Sequence, residues 1–587
     1  MVYETSYGTG LKPFSPDLNR GKWEKPTDYI FACFGLALKL DVFAASYWYF
    51  FELGILGILP YFVYMVIYLV PIMVVHSFMG QFSSSGFISA FRVSPFFKGM
   101  GYVSAFLTIS MLIYYSIFAA IPLLFMLNSF RPTLPWSCEG FKSWHNVSSG
   151  QSTICNITDI FDENVNDTNF YSTALHVPSV LYFENHFSEE IGYPEQEFEL
   201  SWHFLGLFLL AWAIIALIFY KFSETEMFGK FIRYMVIGTL ALLLVCFVRF
   251  LFLPGALLGL NKYMTLDSEH LAMGSVSTFI IALQAFGAGW GSVIALSSFN
   301  GFKTDIMSYS WIISFGQIFI FIMFGLVSFM LDHYFKELGD ATTFVLKDWM
   351  LFLSGASVIS TMGWANMWTF IYYTMLFMAA LIVMTTQIFT ILQSLFDEFE
   401  KLREKKQEVT FGLIGGLALC SLIFCTNHGI SFFFALGSDA LASHSLLHLL
   451  LILVVLWIYG RQRFQRDIEF MLGQPFASWK VFILRFIAPI ILVLCLLVGV
   501  GLTFISHFSA VIIVISFILV WLPILAIPGY GFYYLFQSTG TFCDRFRRTC
   551  RPTDWYPVEM EHRQQYEEAV GNTEMTHQLF EVTEEVN

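Results

Sequence analysis

Lys39 and Asp41 lie two residues apart in the run CFGLALKLDVFAASYWYF, 33–50, which is otherwise almost wholly apolar. If that run crosses a membrane, each charge costs roughly 2.5–3.5 kcal/mol on insertion scales. Charges kept at that cost serve a partner, a solute or a moving ion. The Lys39 ammonium has three such uses: pairing with the Asp41 carboxylate, gripping an anionic group of a solute, or acting as a resident cation. Escape to the membrane surface is a poor fourth, because Lys39 lies about ten residues, ~15 Å, from the start of the helix. Residues two apart do not face each other on a regular helix, so the pairing needs unwound backbone. A second irregular stretch is ALQAFGAGWGSVIALSSFNGF, 282–302, with Gly287, Gly289 and Gly291 in one turn. Each interior Gly costs a helix up to ~1 kcal/mol. The stretch is therefore either unwound beside a cavity or packed closely on a neighbouring helix. No nucleophile–base pair or metal-ligand cluster accompanies these residues, so the pattern points away from an enzyme.

The elements that must position these residues are membrane spans. The chain has 587 residues, 57% hydrophobic and 13% charged, whereas soluble proteins carry about 25% charged residues. The prediction is an all-α polytopic bundle. A spanning helix needs about 20 apolar residues. About twelve runs qualify, centred in 29–50, 55–79, 103–130, 202–220, 231–253, 274–299, 308–331, 363–396, 411–430, 431–458, 481–504 and 509–536. Residues 1–28 and 537–587 then form terminal segments around a transporter-sized domain, 29–536. Basic residues precede the first span (Lys22, Lys25) and follow every even-numbered one: Arg92 and Lys98; Lys221, Lys230 and Arg233; Lys401, Arg403, Lys405 and Lys406; Arg461, Arg463, Arg466 and Lys480; Arg545, Arg547, Arg548 and Arg551. The positive-inside rule places both termini in the cytosol. The first and sixth spans, the two with signs of interruption, are five apart, as an inverted repeat of five helices would give.

The loop 130–201 then falls outside, and its sequons at Asn146, Asn156 and Asn166 agree with that. It also holds Cys138 and Cys155, for which an oxidising lumen predicts a disulfide. Cys33, Cys246, Cys420, Cys425 and Cys495 lie in apolar runs and read as packing residues, while Cys543 and Cys550 read as free cytosolic thiols. The net charge of −13 gathers in that loop and in the tail after Arg551, both expected to be solvated faces. No cleavable signal peptide is evident, and no basic–aromatic pattern points to nucleic acid.

Seven stretches in order along 21–536 and its flank resemble the sodium:neurotransmitter symporter family: RGKWEKPTDYIFACFGLAL, MGQFSSSGFISAFRVSPFFKGMGY, NSFRPTLPWSCEG, GKFIRYMVIGTLALLLVCFVRFLFLPGALLGL, GAGWGSVIALSSFNGFKTD, DATTFVL and YGRQRFQRDIEFMLGQP. The resemblance implies a LeuT-like fold of 5+5 inverted repeats, with helices one and six unwound around substrate and ions. It also implies positions for the site. Tyr115 keeps a substrate-binding Tyr, and Lys39, Asp41, Gln284, Phe286 and Gly287 join it at the two unwound segments. Sodium would meet backbone carbonyls at Gly35, Ala37 and Leu38 and the side chains of Thr385 and Thr386. Tyr61 keeps a chloride-site Tyr, and Asp439 lies near the outer-gate Asp.

The departures from the family pattern fall on the chemistry. Lys39 stands where the family has Gly or Asp, Val42 where it has a sodium-binding Asn, and Ala45 where it has the Arg of the outer gate. Thr385 replaces a sodium-ligating Asp, and Ile281 and Ala285 replace the Gln and Ser that would complete the chloride site. Sodium wants several oxygens, usually including a carboxylate. The sequence therefore predicts weakened sodium coupling, no chloride dependence and no organic cofactor, with the Lys39 ammonium as guest of the carbonyls. The expected function is alternating-access transport of a small amino-acid-like solute across the plasma membrane. A non-transporting relative, acting as sensor, scaffold or trafficking partner, is the competing class, and a channel is third. The expected partners are the solute and the bilayer; no protein partner is specified.

Overall fold

The computed structural model describes residues 14–17, 19–40, 43, 46, 58–144, 178–187, 200–256, 291–339, 351–426, 429, 440–505, 514, 518 and 521–570. Among them the regular elements are helices, and the β pairing is an isolated antiparallel bridge between Leu200 and Thr426. Eight described helices are long and apolar enough to span a bilayer: Leu59–Ser83, Pro95–Asn128, Trp202–Lys221, Thr225–Leu251, Ile306–Leu331, Ala365–Glu398, Lys406–Cys425 and Ser478–Gly501. They are the second to fifth, seventh to ninth and eleventh runs of the sequence. The tenth, Ala442–Ile458, bends by 90° into Arg461–Leu472. The hinge is Gly460, at φ 100°, where a side chain would be strained. The first, sixth and twelfth runs are described in part, as Pro26–Ala37, Ser292–Ser297 and Ala526–Gln537.

Burial sorts the spans into an inner and an outer set. The eighth is 94% buried and the third 78%, against 28% for the fifth and eleventh. The eighth span is therefore the axis, packed on the first, third and fifth. The outer helices turn Leu217, Tyr220, Tyr234, Leu419 and Leu497 outward. Apolar surface on that scale belongs against lipid rather than water.

The first and last described stretches, within 14–25 and 553–570, meet on one face, which requires an even number of crossings between them. The Phe14 amide donates to the Asp554 carboxylate at 3.1 Å, and Lys22 pairs with Glu559. The acidic tail was expected as a solvated face, and this stretch of it is instead packed. Trp555 and Tyr566 are buried, and Trp555 stacks on Phe82 of the second span at 5.2 Å. The reason is Asp467, a buried carboxylate on the helix after the tenth span. A buried charge needs hydrogen-bond donors. Tyr459 donates one, Tyr566 another at 3.1 Å, and Arg466 lies at 3.3 Å. Arg92 closes the contact by donating to the Asp554 carbonyl at 3.1 Å. Losing one such donor costs about 1–3 kcal/mol. Tyr566→Phe is thus expected to speed proteolytic removal of the tail about tenfold or more; a tail cut at the parental rate would refute the docking role of Asp467.

Cys138 is disulfide-bonded, and the seven other described cysteines are free. The expected partner, Cys155, lies outside the described residues, as do Asn146, Asn156 and Asn166. Cys420, expected as a packing residue, is exposed, because the ninth span is an outer helix.

Candidate central site and its closed face

The first span starts cleanly. Pro26 occupies the first turn, where its missing N–H costs nothing, and the Asp28 carboxylate accepts from the Lys25 amide at 3.2 Å. The helix then stops at Ala37. Leu38 and Lys39 are not helical, and the backbone recovers its helical pattern at Leu40, with the Phe43 amide donating to the Lys39 carbonyl at 3.1 Å. The break strands the Leu40 amide. Tyr115, fully buried on the third span, accepts from it at 2.9 Å. The Tyr115 hydroxyl thus holds the unwound backbone of the break.

Lys39 is 6% exposed, so it is enclosed by the bundle rather than reaching a surface. It lies within electrostatic range of His444 of the tenth span. Asp41, its candidate partner, is outside the described residues, as are Val42, Ala45, Ile281, Gln284, Ala285, Phe286, Gly287 and Asp439. The sixth span emerges at Gly291 with φ 144°, where a Cβ would lie 2.7 Å from Phe87. Glycine there serves both backbone and packing.

Of the expected sodium ligands, the structure brings Gly35 and Thr386 together. A Cβ on Gly35 would lie 2.7 Å from an Ile382 methyl and 4.0 Å from the Thr386 hydroxyl oxygen. That hydroxyl is fully buried and makes no hydrogen bond. The Thr385 hydroxyl turns to its own helix and donates to the Leu381 carbonyl at 2.7 Å. The Gly35 carbonyl is already engaged by the Leu38 amide at 3.2 Å, while Ala37 and Leu38 are buried at the break. Among the described residues expected to hold sodium, the Thr386 hydroxyl lies beside the break without a hydrogen bond, while Asp41, the carboxylate of this stretch, is outside the described residues. Tyr61 is buried and stacks on Phe321 at 5.5 Å.

A cluster at the terminus-bearing face seals the site from that side. Arg20 pairs with Asp397, at the end of the eighth span, at 3.2 Å, and both side chains are under 10% exposed. Arg20 also donates to the Ser84 carbonyl and the Ser298 hydroxyl, and its guanidinium lies 4.1 Å from the Phe299 ring centre. Burial pushes the Arg20 pKa down, and Asp397 opposes that shift. The Gly86 amide donates to Asp397 at 2.6 Å. The Trp23 indole donates to the Leu296 carbonyl at 2.9 Å. One layer therefore ties the N-terminal segment, the first connecting loop, the sixth span's exit and the eighth span. The sequence marked none of this as a site; RGKW was the one available sign of Arg20.

Comparison with known proteins agrees with this geometry. The model of the sodium:neurotransmitter symporter family matches residues 20–539. The human sodium- and chloride-dependent neutral and basic amino acid transporter B(0+) is 25% identical, over 93% of this chain and 90% of its own length. The sodium- and chloride-dependent glycine transporter 1 of Xenopus laevis is also 25% identical, with the same coverage. A central break under a closed gate, in a match that spans nearly the whole chain, leaves one conclusion: the chain belongs to the sodium:neurotransmitter symporter family of secondary transporters.

Proposed function

We propose that the chain carries a small amino-acid-like solute across the plasma membrane, with both termini cytosolic, by alternately opening its two faces around the break at Leu38 and Lys39. The observation that carries the reading is the unwound backbone held by Tyr115 beside the enclosed Lys39. Irregular backbone at membrane depth is tolerated where it lines a cavity or is buried in protein. The names of the relatives, transporters of neutral and basic amino acids and of glycine, support the solute class. Lys39, Asp41, Tyr115, Gln284, Phe286 and Gly287 are the proposed solute-facing residues. The Lys39 ammonium takes the place of the cation whose Asn and Asp ligands are Val42 and Thr385 here. Chloride is not needed in this reading.

The test is uptake of radiolabelled amino acids and amines into proteoliposomes, with and without a sodium gradient. Uptake is expected to respond to pH more than to sodium, and Lys39→Gly is expected to remove the pH response. Steep sodium dependence that survives Lys39→Gly would overturn the ion assignment, and no uptake of any probe would favour a non-transporting role. One observation favours a second reading of the ion: the Thr386 hydroxyl opposite Gly35 is a ready oxygen ligand for sodium.

The orientation has its own check. Glycosidase is expected to lower the apparent mass of the surface protein, and joint substitution of Asn146, Asn156 and Asn166 to abolish that shift. An unchanged mass would count against an external 130–201 loop.

A further inference from the structure

We propose that the buried histidines of the second and tenth spans form a proton-binding chain ending beside Lys39, and that the proton they hold is the ion coupled to solute movement. The coupling rests on the transport reading above; the proton site does not. His76, His444 and His448 are 3%, 2% and 1% exposed, all within membrane-spanning helices. Ionisable groups at such depth are costly and mark ion and proton pathways. His444 and His448 are four apart, so they share one face of the tenth span.

His448 is the hub. Its Nδ1 lies 2.7 Å from the Tyr68 hydroxyl, its ring centre 5.4 Å from that of His76 and 6.3 Å from that of His444. Lys39 lies within electrostatic range of His444. Tyr68 sits on a π-helical turn, Met65–Leu69, and such turns occur often at functional sites. The described titratable groups set against the histidines are Tyr68 of the second span, hydrogen-bonded to His448, and Lys39 of the first, within electrostatic range of His444; Cys495 of the eleventh span lies within such range of Tyr68. Metal binding is the rival use of three histidines, yet among the described residues no three ligating side chains converge for it.

The chemistry is a simple hand-over. A proton added to Nε2 of His448 gives the imidazolium, whose Nδ1–H donates to the Tyr68 hydroxyl and can pass its proton there as Tyr68 releases its own; no bond other than N–H or O–H changes. An imidazolium at His444 and an ammonium at Lys39 repel each other, more strongly in a low-dielectric interior than in water. Proton occupancy of the chain and the charge at Lys39 therefore compete, which is what couples the proton to the solute site.

The test uses the full-length purified chain. Proteoliposomes with a trapped pH dye receive a radiolabelled mixture of the twenty amino acids and biogenic amines. Label uptake is expected to move the internal pH, and His448→Gln, which keeps a hydrogen-bonding amide opposite Tyr68, to cut the proton-to-label ratio at least tenfold. His76→Gln serves as a second variant should His448→Gln fail to fold. Label uptake without a pH change, or with a ratio unaltered by both variants, overturns the proposal while transport stands. If no label enters, the transport reading fails, and histidine NMR of the 13C-labelled protein decides the proton site. Ring signals of His76, His444 and His448 that titrate as one coupled set, altered by Lys39→Met, support it; signals fixed from pH 5 to 9 overturn it.

Discussion

Arg20→Ala is expected to open the terminus-bearing face, so that an impermeant maleimide reaches Cys33 at least a hundredfold faster than in the parent chain. Cys33 is fully buried on the first span, above the Arg20 layer. Removing one partner of a buried ion pair costs about 3–5 kcal/mol, because the other charge stays buried and unpaired. Here that charge is Asp397, 3% exposed. A cost of that size spent in the closed state alone shifts the closed-to-open ratio by roughly 10²–10⁴, since 1.4 kcal/mol is a factor of ten. The Phe299 contact adds a smaller cation–π loss, about 0.5–2 kcal/mol. Labelling is best read in a chain whose Cys420, Cys543 and Cys550 are replaced, since these are the free cysteines that are not buried. If the stranded charge is the cause, Arg20→Ala with Asp397→Asn should recover much of the protection. Cys33 labelling that does not change in Arg20→Ala would end the argument that this pair holds the face shut.

Thr385→Asp combined with Lys39→Gly is expected to create strong sodium dependence, seen as a sodium-specific rise in the thermal midpoint of the purified protein. The parent chain offers sodium the Thr386 hydroxyl and the backbone of the break, with the Lys39 ammonium enclosed nearby. A hard cation is held better by a carboxylate, and like charge at low effective dielectric opposes it. The double variant reverses both conditions and leaves a buried carboxylate that needs a counter-ion. Neutralising such a charge is worth about 3–5 kcal/mol, so apparent sodium affinity should tighten roughly 10²–10⁴-fold. Choline and potassium give the baseline. An equal sodium response in parent and variant would mean that hydroxyls and carbonyls suffice, and would move the assignment to the Gly35–Thr386 reading.

The site was legible where a local signal exists and hidden where two distant segments had to meet. Gly291 announces special backbone by its type, and it takes φ 144° just before the helix Ser292–Ser297. His444 and His448 carry the spacing of one helix face, yet nothing local ties them to Tyr68 or His76. Arg20 and Asp397 look like ordinary charges at span ends, where water could serve either; only their pairing makes them a gate. Thr385 and Thr386 are adjacent and chemically identical, and the helix sends one hydroxyl to the Leu381 carbonyl and leaves the other bare.

What the sequence by itself determined is the membrane architecture. Hydrocarbon demands about 20 apolar residues per span, a requirement met within each run, and the basic loops predict an orientation without reference to packing. What only the tertiary structure decided is where the first span breaks. Leu, Ala and Lys are among the better helix formers, so LALKL alone argues for continued helix across Leu38 and Lys39. The break persists because the Tyr115 hydroxyl, 75 residues away, accepts from the Leu40 amide that the lost turn sets free, and a buried amide left without such a partner would cost about 1–3 kcal/mol.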